Sequence, residues 1–376
     1  MLSILPGFKR HGVAQVVKRV ERIALGSTML LAFGCGFAHS LWPEAGISFD
    51  RLHVFLFNLC SGGTLILFYS GGSGKSSTRA RAFFVLSLLY AACASMNWFV
   101  ATLVLSLPLA ILVESVRVAR FGLLPWGFFS RSTSVAEKFE QASLLCLSLA
   151  IVIASLVIIN NEYIGWLSYP KLTIDIFFLG YSFPISLVTM SLMFRFMRAG
   201  RVSTAAFWLV NLGVIVFFVF IIAGWYGGEI IASITLTITV ATVFALFIAR
   251  APRVQQKAFL ISGMSFLLLT AISGVLYILR YYFQAIEDMH SFLLVLHATI
   301  SLYGWNLSGL LIIIRFGDFP IRLNSALFIG LHWIIVLVLS PLGEFSVIFS
   351  AAAVLGWAAL LVFVFFSRAA VSGARQ

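Results

Sequence analysis

The chain has 376 residues, of which 61% are hydrophobic and only 10% charged, with a mean hydropathy of +1.06. Soluble domains carry about a quarter charged residues. A water-soluble enzyme is therefore excluded, and the composition points to an all-α, polytopic membrane protein. The formal net charge of +12 invites a nucleic-acid reading, which the placement of the charges removes. Four cysteines, Cys35, Cys60, Cys93 and Cys146, fall inside apolar runs without CxxC spacing, so neither a disulfide framework nor a zinc site is indicated.

Residues 1–22 form a basic N-terminal segment, 23–367 a transmembrane domain and 368–376 a short tail. The first apolar run is long enough to remain as a span rather than a cleaved signal. A span takes roughly 20 apolar residues. Such runs occur at 23–42, 52–70, 82–97, 99–116, 142–160, 174–194, 204–225, 230–249, 258–281, 290–314, 325–342 and 345–367. The third and fourth are short and meet at Asn97 and Trp98.

Twelve spans put both termini on one side, and the basic residues test that count. Lys9, Arg22, Lys75, Arg81, Arg117, Arg120, Arg195, Arg250, Lys257, Arg315 and Arg368 all fall on the N-terminal side, as do all but three of the 25 basic residues. The exceptions are Arg51, Lys171 and Arg280. Glu44, Asp50, Glu162, Asp175, Glu229, Glu287, Asp288 and Glu344 share their side. The positive-inside rule then places both termini in the cytoplasm, as expected of a multi-pass protein of the cell inner membrane. The positive charge faces anionic lipid, so the expected partner is the bilayer and not a nucleic acid.

Two loops carry local signals. Gly71-Gly72-Ser73-Gly74-Lys75-Ser76 resembles a phosphate loop, but the pattern needs a glycine where Tyr69 stands, and no strand precedes it. The connection from Arg117 to Gln141 mixes Phe, Trp and basic residues, which suits a segment lying in the membrane interface.

The histidines carry the strongest functional signal. All but His11 fall in the outer half or the centre of the membrane: His39, His53, His290, His297 and His332. A histidine in hydrocarbon is costly and usually functional. His290 and His297 are seven residues apart, so both project from one helix face about 10 Å apart along the axis. His53 and His297 are each followed by small residues (Ser61, Gly62 and Gly63; Gly304, Ser308 and Gly309) that let a helix or a flat ligand approach the backbone. For His39, His53 and His290 the competing reading is an interfacial hydrogen bond; for His332 it is a carbonyl on a neighbouring helix. Cys60, seven residues after His53, is a soft-ligand candidate, with a plain buried cysteine as the competing reading.

Spans 2, 6 and 10 are weakly alike. Met193-Phe194-Arg195 and Ile313-Ile314-Arg315 close two of them, and all three run in the same direction, four spans apart. That spacing suggests three four-helix units.

Twelve spans, both termini inside, and histidines in the outer halves of spans 2 and 10 resemble the heme-copper oxidase subunit I superfamily, and within it the shorter NnrS-like branch. The resemblance implies pseudo-threefold arcs of four helices and a heme with His53 and His297 as axial ligands. It also implies a redox or nitric-oxide/oxygen-related role. Arg280 and Arg51 are the basic groups on that side able to pair with heme propionates, although snorkelling explains them as well. Spans 6 and 7 lack histidine, where oxidases hold copper. A single heme is therefore expected, or a heme plus a small metal site, such as copper, using His290, His332 or Cys60. Quinol or another redox subunit is the implied partner.

Two other functions fit the composition. A twelve-helix secondary transporter fits the span count and Pro108, Pro184, Gly304 and Gly309, but its ion-coupling acid is missing from mid-membrane. A non-catalytic membrane subunit of a larger complex also fits. Metal-dependent hydrolysis is disfavoured, because no HExxH pattern occurs.

Overall fold

The computed structural model describes residues 17–41, 46–71, 75–169, 171–173, 180–197, 200–252, 256–316, 319–320 and 326–367. These residues form an all-α protein with twelve principal helices. They are α1 (Arg19–Leu41), α2 (Phe49–Gly71), α3 (Lys75–Ser95), α4 (Phe99–Phe121), α5 (Val135–Ile164) and α6 (Phe183–Arg195). The second half holds α7 (Arg201–Ala223), α8 (Tyr226–Arg250), α9 (Lys257–Leu279), α10 (His290–Ile314), α11 (Ala326–Gly343) and α12 (Val347–Phe366). Ten of them are long and apolar enough to cross a bilayer. The other two are α3, which carries Lys75, Arg79 and Arg81 near its start, and α6, described for 13 residues.

Local chemistry sets the boundaries. Asn97, at φ +58°, turns the chain between α3 and α4 and separates the two short apolar runs. Ser134 and Glu137 form a reciprocal capping box that starts α5. Gly165 and Gly224, both left-handed, end α5 and α7. The loop from α4 to α5 is shorter than the sequence suggests, because both helices extend into it. It still exposes Leu123, Leu124, Trp126 and Phe129, as an interfacial segment does.

The outer surface is apolar. Val100, Val104, Leu107 and Ile111 make an exposed stripe along α4, and Leu209, Leu212, Ile215 and Val219 another along α7. Such stripes belong against lipid, since soluble monomers do not expose apolar faces of this extent. The interior belongs to α2 and α10, whose apolar windows are 89% and 83% buried against 17% for α7. Together with α6 they pack on one another at the centre. Around them, α4 packs on α5, α8 on α9, and α12 back on α1. The contact of α12 with α1 brings the two ends of the helix order together.

Close approach at the centre depends on glycine. A Cβ on Gly309 of α10 would overlap Thr189 of α6, and one on Gly62 of α2 would overlap Ile185 of α6. One end of the bundle gathers the basic residues. There Glu140 of α5, fully buried, pairs with Arg120 of α4 at 2.9 Å and with Arg195 of α6 at 2.5 Å. The Arg195 guanidinium also lies 4.7 Å over the Tyr69 ring of α2. At the opposite end Lys171 pairs with Glu229 at 2.9 Å.

Candidate functional site

Both central helices change winding where the site lies. In α2 the segment Phe55–Gly63, and in α10 the segment Ile300–Asn306, are π-helical. Wider turns misalign main-chain carbonyls and make them available to other partners, and such turns concentrate at functional sites. In α2 the hydroxyl of Ser61 donates to the Leu56 carbonyl, five residues back, at 2.9 Å.

Tyr303, in the middle of the α10 segment, uses both its ends. Its hydroxyl lies 2.7 Å from Nδ1 and 3.3 Å from Nε2 of His53. Its main-chain carbonyl accepts from Nε2 of His332 at 2.6 Å. The phenol ring is held edge-on by Phe33 of α1 and Trp357 of α12, at centroid distances of 4.5 and 4.8 Å. Tyr303 thus joins α2, α10 and α11, and it is the central site residue that sequence reasoning missed. The signal was present: a tyrosine beside Gly304, Trp305 and Asn306 deep in an apolar run.

Hydrogen-bond chemistry assigns the protons. Nδ1 of His53 lies 2.9 Å from the Ala32 carbonyl of α1, which can only accept, so Nδ1 carries the proton, and the Tyr303 hydroxyl lies nearer to this nitrogen than to Nε2. Gly36 makes room for this ring, since a Cβ there would stand 2.9 Å from Nδ1. The His297 ring faces α9. Ser273 donates to the Thr270 carbonyl at 3.0 Å, so its oxygen accepts the Nδ1 proton of His297 at 3.1 Å. The His297 ring also reaches the main-chain carbonyl of Thr270, one turn before Ser273 on the same helix. Nδ1 of His332 is buried without a hydrogen-bond partner; that ring stacks on Phe259 and meets Phe266 edge-on.

These rings have separate hydrogen-bond partners. Tyr303, the α10 partner of His53, lies six residues beyond His297, about 9 Å along the helix. On α9 the contacts of His332 end at Phe266 and those of His297 begin at Thr270, about 6 Å further along the helix. Among the described residues no three His, Cys, Asp or Glu side chains group as a metal cage. The Tyr303 side chain stands against His53, whereas His297 turns to Ser273 of α9.

The remaining candidates have other company. His290 is exposed at the start of α10, with Nδ1 3.1 Å from the Glu287 carbonyl and Nε2 3.2 Å from the Ser291 hydroxyl. The His39 side chain, His11 and Asp175 lie outside the described residues. Arg51 donates to the Asn97 amide oxygen at 2.5 Å. Arg280 lies over Tyr277 and Tyr281 at 4.3 and 4.5 Å and faces Glu287 at 3.6 Å. Cys60 was expected on the face of His53. The π-helical turns between them change the phase, and Cys60 is fully buried toward Ser87 of α3.

A second polar cluster occupies the junction of α2, α6 and α10. Nδ2 of Asn306 donates to Ser182 at 2.7 Å and approaches the Asn58 oxygen at 3.5 Å, Ser186 donates to Asn306 at 3.2 Å, and Trp305 donates to Ser186 at 2.9 Å. The amide nitrogen of Asn58 is buried without a hydrogen-bond partner. Fold and site together define a multi-pass membrane protein whose core carries oriented imidazoles. Comparison with protein-family models, with curated protein sequences and with solved structures finds no match to this chain.

Proposed function

We propose that the protein is an inner-membrane heme-binding protein with a redox or nitric-oxide/oxygen-related role, both termini in the cytoplasm, and His297 as the iron ligand. The carrying observation is the Ser273–His297 pair. An outer hydrogen bond on Nδ1 fixes the tautomer in which Nε2 presents its lone pair, and it raises the basicity of a metal-bound imidazole. Gly274 supports the same reading, because a Cβ there would stand 3.3 Å from the His297 ring. Ligation by one histidine leaves the opposite face of a heme iron open to a small diatomic ligand. His53, held by Ala32 and Tyr303, lines the seam between α2 and α10 and serves as the second candidate ligand.

A transporter reading gains less support. Glu114, Glu140 and Glu229 are each ion-paired near a helix end, so among the described residues no acid stands alone at mid-membrane.

The test is the optical spectrum and metal content of the purified protein. A Soret band with stoichiometric iron is expected, lost in His297→Ala and retained in His53→Ala. Loss in both variants would establish bis-histidine ligation. A band retained in His297→Ala, or copper without iron, would overturn the assignment.

A further inference from the structure

Helix hydroxyls in this protein ordinarily donate to the carbonyl one turn back: Thr28 to Ala24, Thr102 to Trp98, Thr189 to Ile185 and Thr270 to Phe266. Thr64 does not. It is the first residue after the π-helical segment of α2, where the wider winding takes the preceding carbonyls out of register. Its Oγ1 is buried without a hydrogen-bond partner. Thr64 lines a cleft of about 390 Å³ between α1, α2 and α3, together with Ala24, Leu25, Phe68 and Phe84.

The cleft mouth, at the basic end of the bundle, carries Lys18, Glu21 and Arg81. Glu21 is fully engaged. One oxygen accepts from Arg81 at 2.7 and 2.8 Å, and the other accepts the main-chain N–H of Lys18 at 2.7 Å. The Lys18 ammonium makes no ion pair among the described residues. The mouth therefore keeps one uncompensated positive charge above an apolar slot with one unpaired hydroxyl inside it.

We propose that this cleft binds one anionic phospholipid, independently of any metal site. The phosphate meets Lys18 and Arg81 at the mouth. An ester carbonyl accepts the Thr64 hydroxyl, about 10 Å inside the end of α2, at the border of interface and hydrocarbon. The acyl chain runs along Ala24, Phe68 and Phe84. A neutral isoprenoid tail would fit the walls equally, but it would leave the positive mouth without a counter-charge, which selects the anionic head.

The experiment titrates the full-length protein in detergent with phosphatidylglycerol and with phosphatidylcholine, reading bound lipid by native mass spectrometry. Phosphatidylglycerol should bind more tightly, with one saturable site. Lys18→Gln should weaken it about fivefold, the worth of one basic contact with anionic lipid, and leave phosphatidylcholine unchanged. Val85→Trp, at an exposed position lining the cleft, should abolish the saturable site. Thr64→Val should weaken both lipids alike while raising the thermal midpoint of lipid-free protein, because an unpaired buried hydroxyl is removed. Equal affinity for the two lipids, saturable binding that survives Val85→Trp, or displacement by a neutral quinone with no effect of Lys18→Gln would overturn the proposal. A lower lipid-free midpoint in Thr64→Val would overturn the free-hydroxyl assignment on which it stands.

Discussion

His332 of α11 donates its Nε2 proton to the main-chain oxygen of Tyr303 of α10, and the hydroxyl of that same tyrosine meets His53 of α2. One residue thus ties three helices through two chemically distinct links. Only the second link depends on the tyrosine side chain, so the two can be separated by mutation.

Tyr303→Phe removes the hydroxyl and leaves the carbonyl in place. The expected loss is about 1 kcal/mol, the net worth of one hydrogen bond. His332→Leu removes the donor instead, leaving a buried carbonyl without its partner, and the expected loss rises to about 1–3 kcal/mol. Unfolding midpoints in detergent rank the two variants, and nitrogen NMR of the histidine rings locates the change. Tyr303→Phe should perturb His53 and spare His332. The reverse order of stability, or a perturbed His332 ring in Tyr303→Phe, would contradict the link through the main chain.

Ser273→Ala tests the orientation of His297. Without the Ser273 oxygen, Nδ1 loses the acceptor that holds its proton, and the ring is free to change tautomer or turn. Ligand-orienting partners of this kind are worth about 10–100-fold in metal affinity. Heme titration of the purified variant should show a loss in that range, with the fold intact by circular dichroism. Unchanged affinity would mean that the serine orients nothing of consequence.

Much of the fold is legible in the sequence, because span length and charge alternation are additive properties of runs. Asn97 separates α3 from α4 where the two short runs meet, and the closing Arg195 and Arg315 mark helices that turn out to be central. The site is less legible because winding is not additive. Counting seven residues from His53 to Cys60 at 3.6 per turn puts both on one face, whereas π-helical turns between them send His53 to α1 and Cys60 to α3. The same local change frees the Tyr303 carbonyl for His332 and leaves Thr64 without its usual acceptor. Propensity and hydropathy carry no signal for such turns.

Glu140 permits a charge experiment. It is fully buried between Arg120 and Arg195, and its neutral analogue leaves two guanidinium groups facing one another across α5. Removing one partner of a buried ion pair costs about 3–5 kcal/mol, since the remaining charge stays desolvated. Glu140→Gln should lower the unfolding free energy by that order, while Arg81→Gln, at the exposed pair with Glu21, should change it by less than about 1 kcal/mol. Similar losses in both variants would show that the buried network is hydrated.

The same substitution at two glycines should change stability in opposite directions. On Gly309 a new methyl group meets Thr189 across the contact between α10 and α6, where both helices are held by the packed centre. Overpacking of this kind costs about 1–3 kcal/mol. On Gly34 of α1 a Cβ meets nothing within 4 Å. There the alanine adds no clash and reduces the freedom of the unfolded helix, a gain of about 0.4–1 kcal/mol. Gly309→Ala should therefore unfold more readily than the parent protein and Gly34→Ala less readily, compared in the same detergent at the same temperature. If both variants were stabilised, α6 and α10 could not be in the close contact that organises the three central helices.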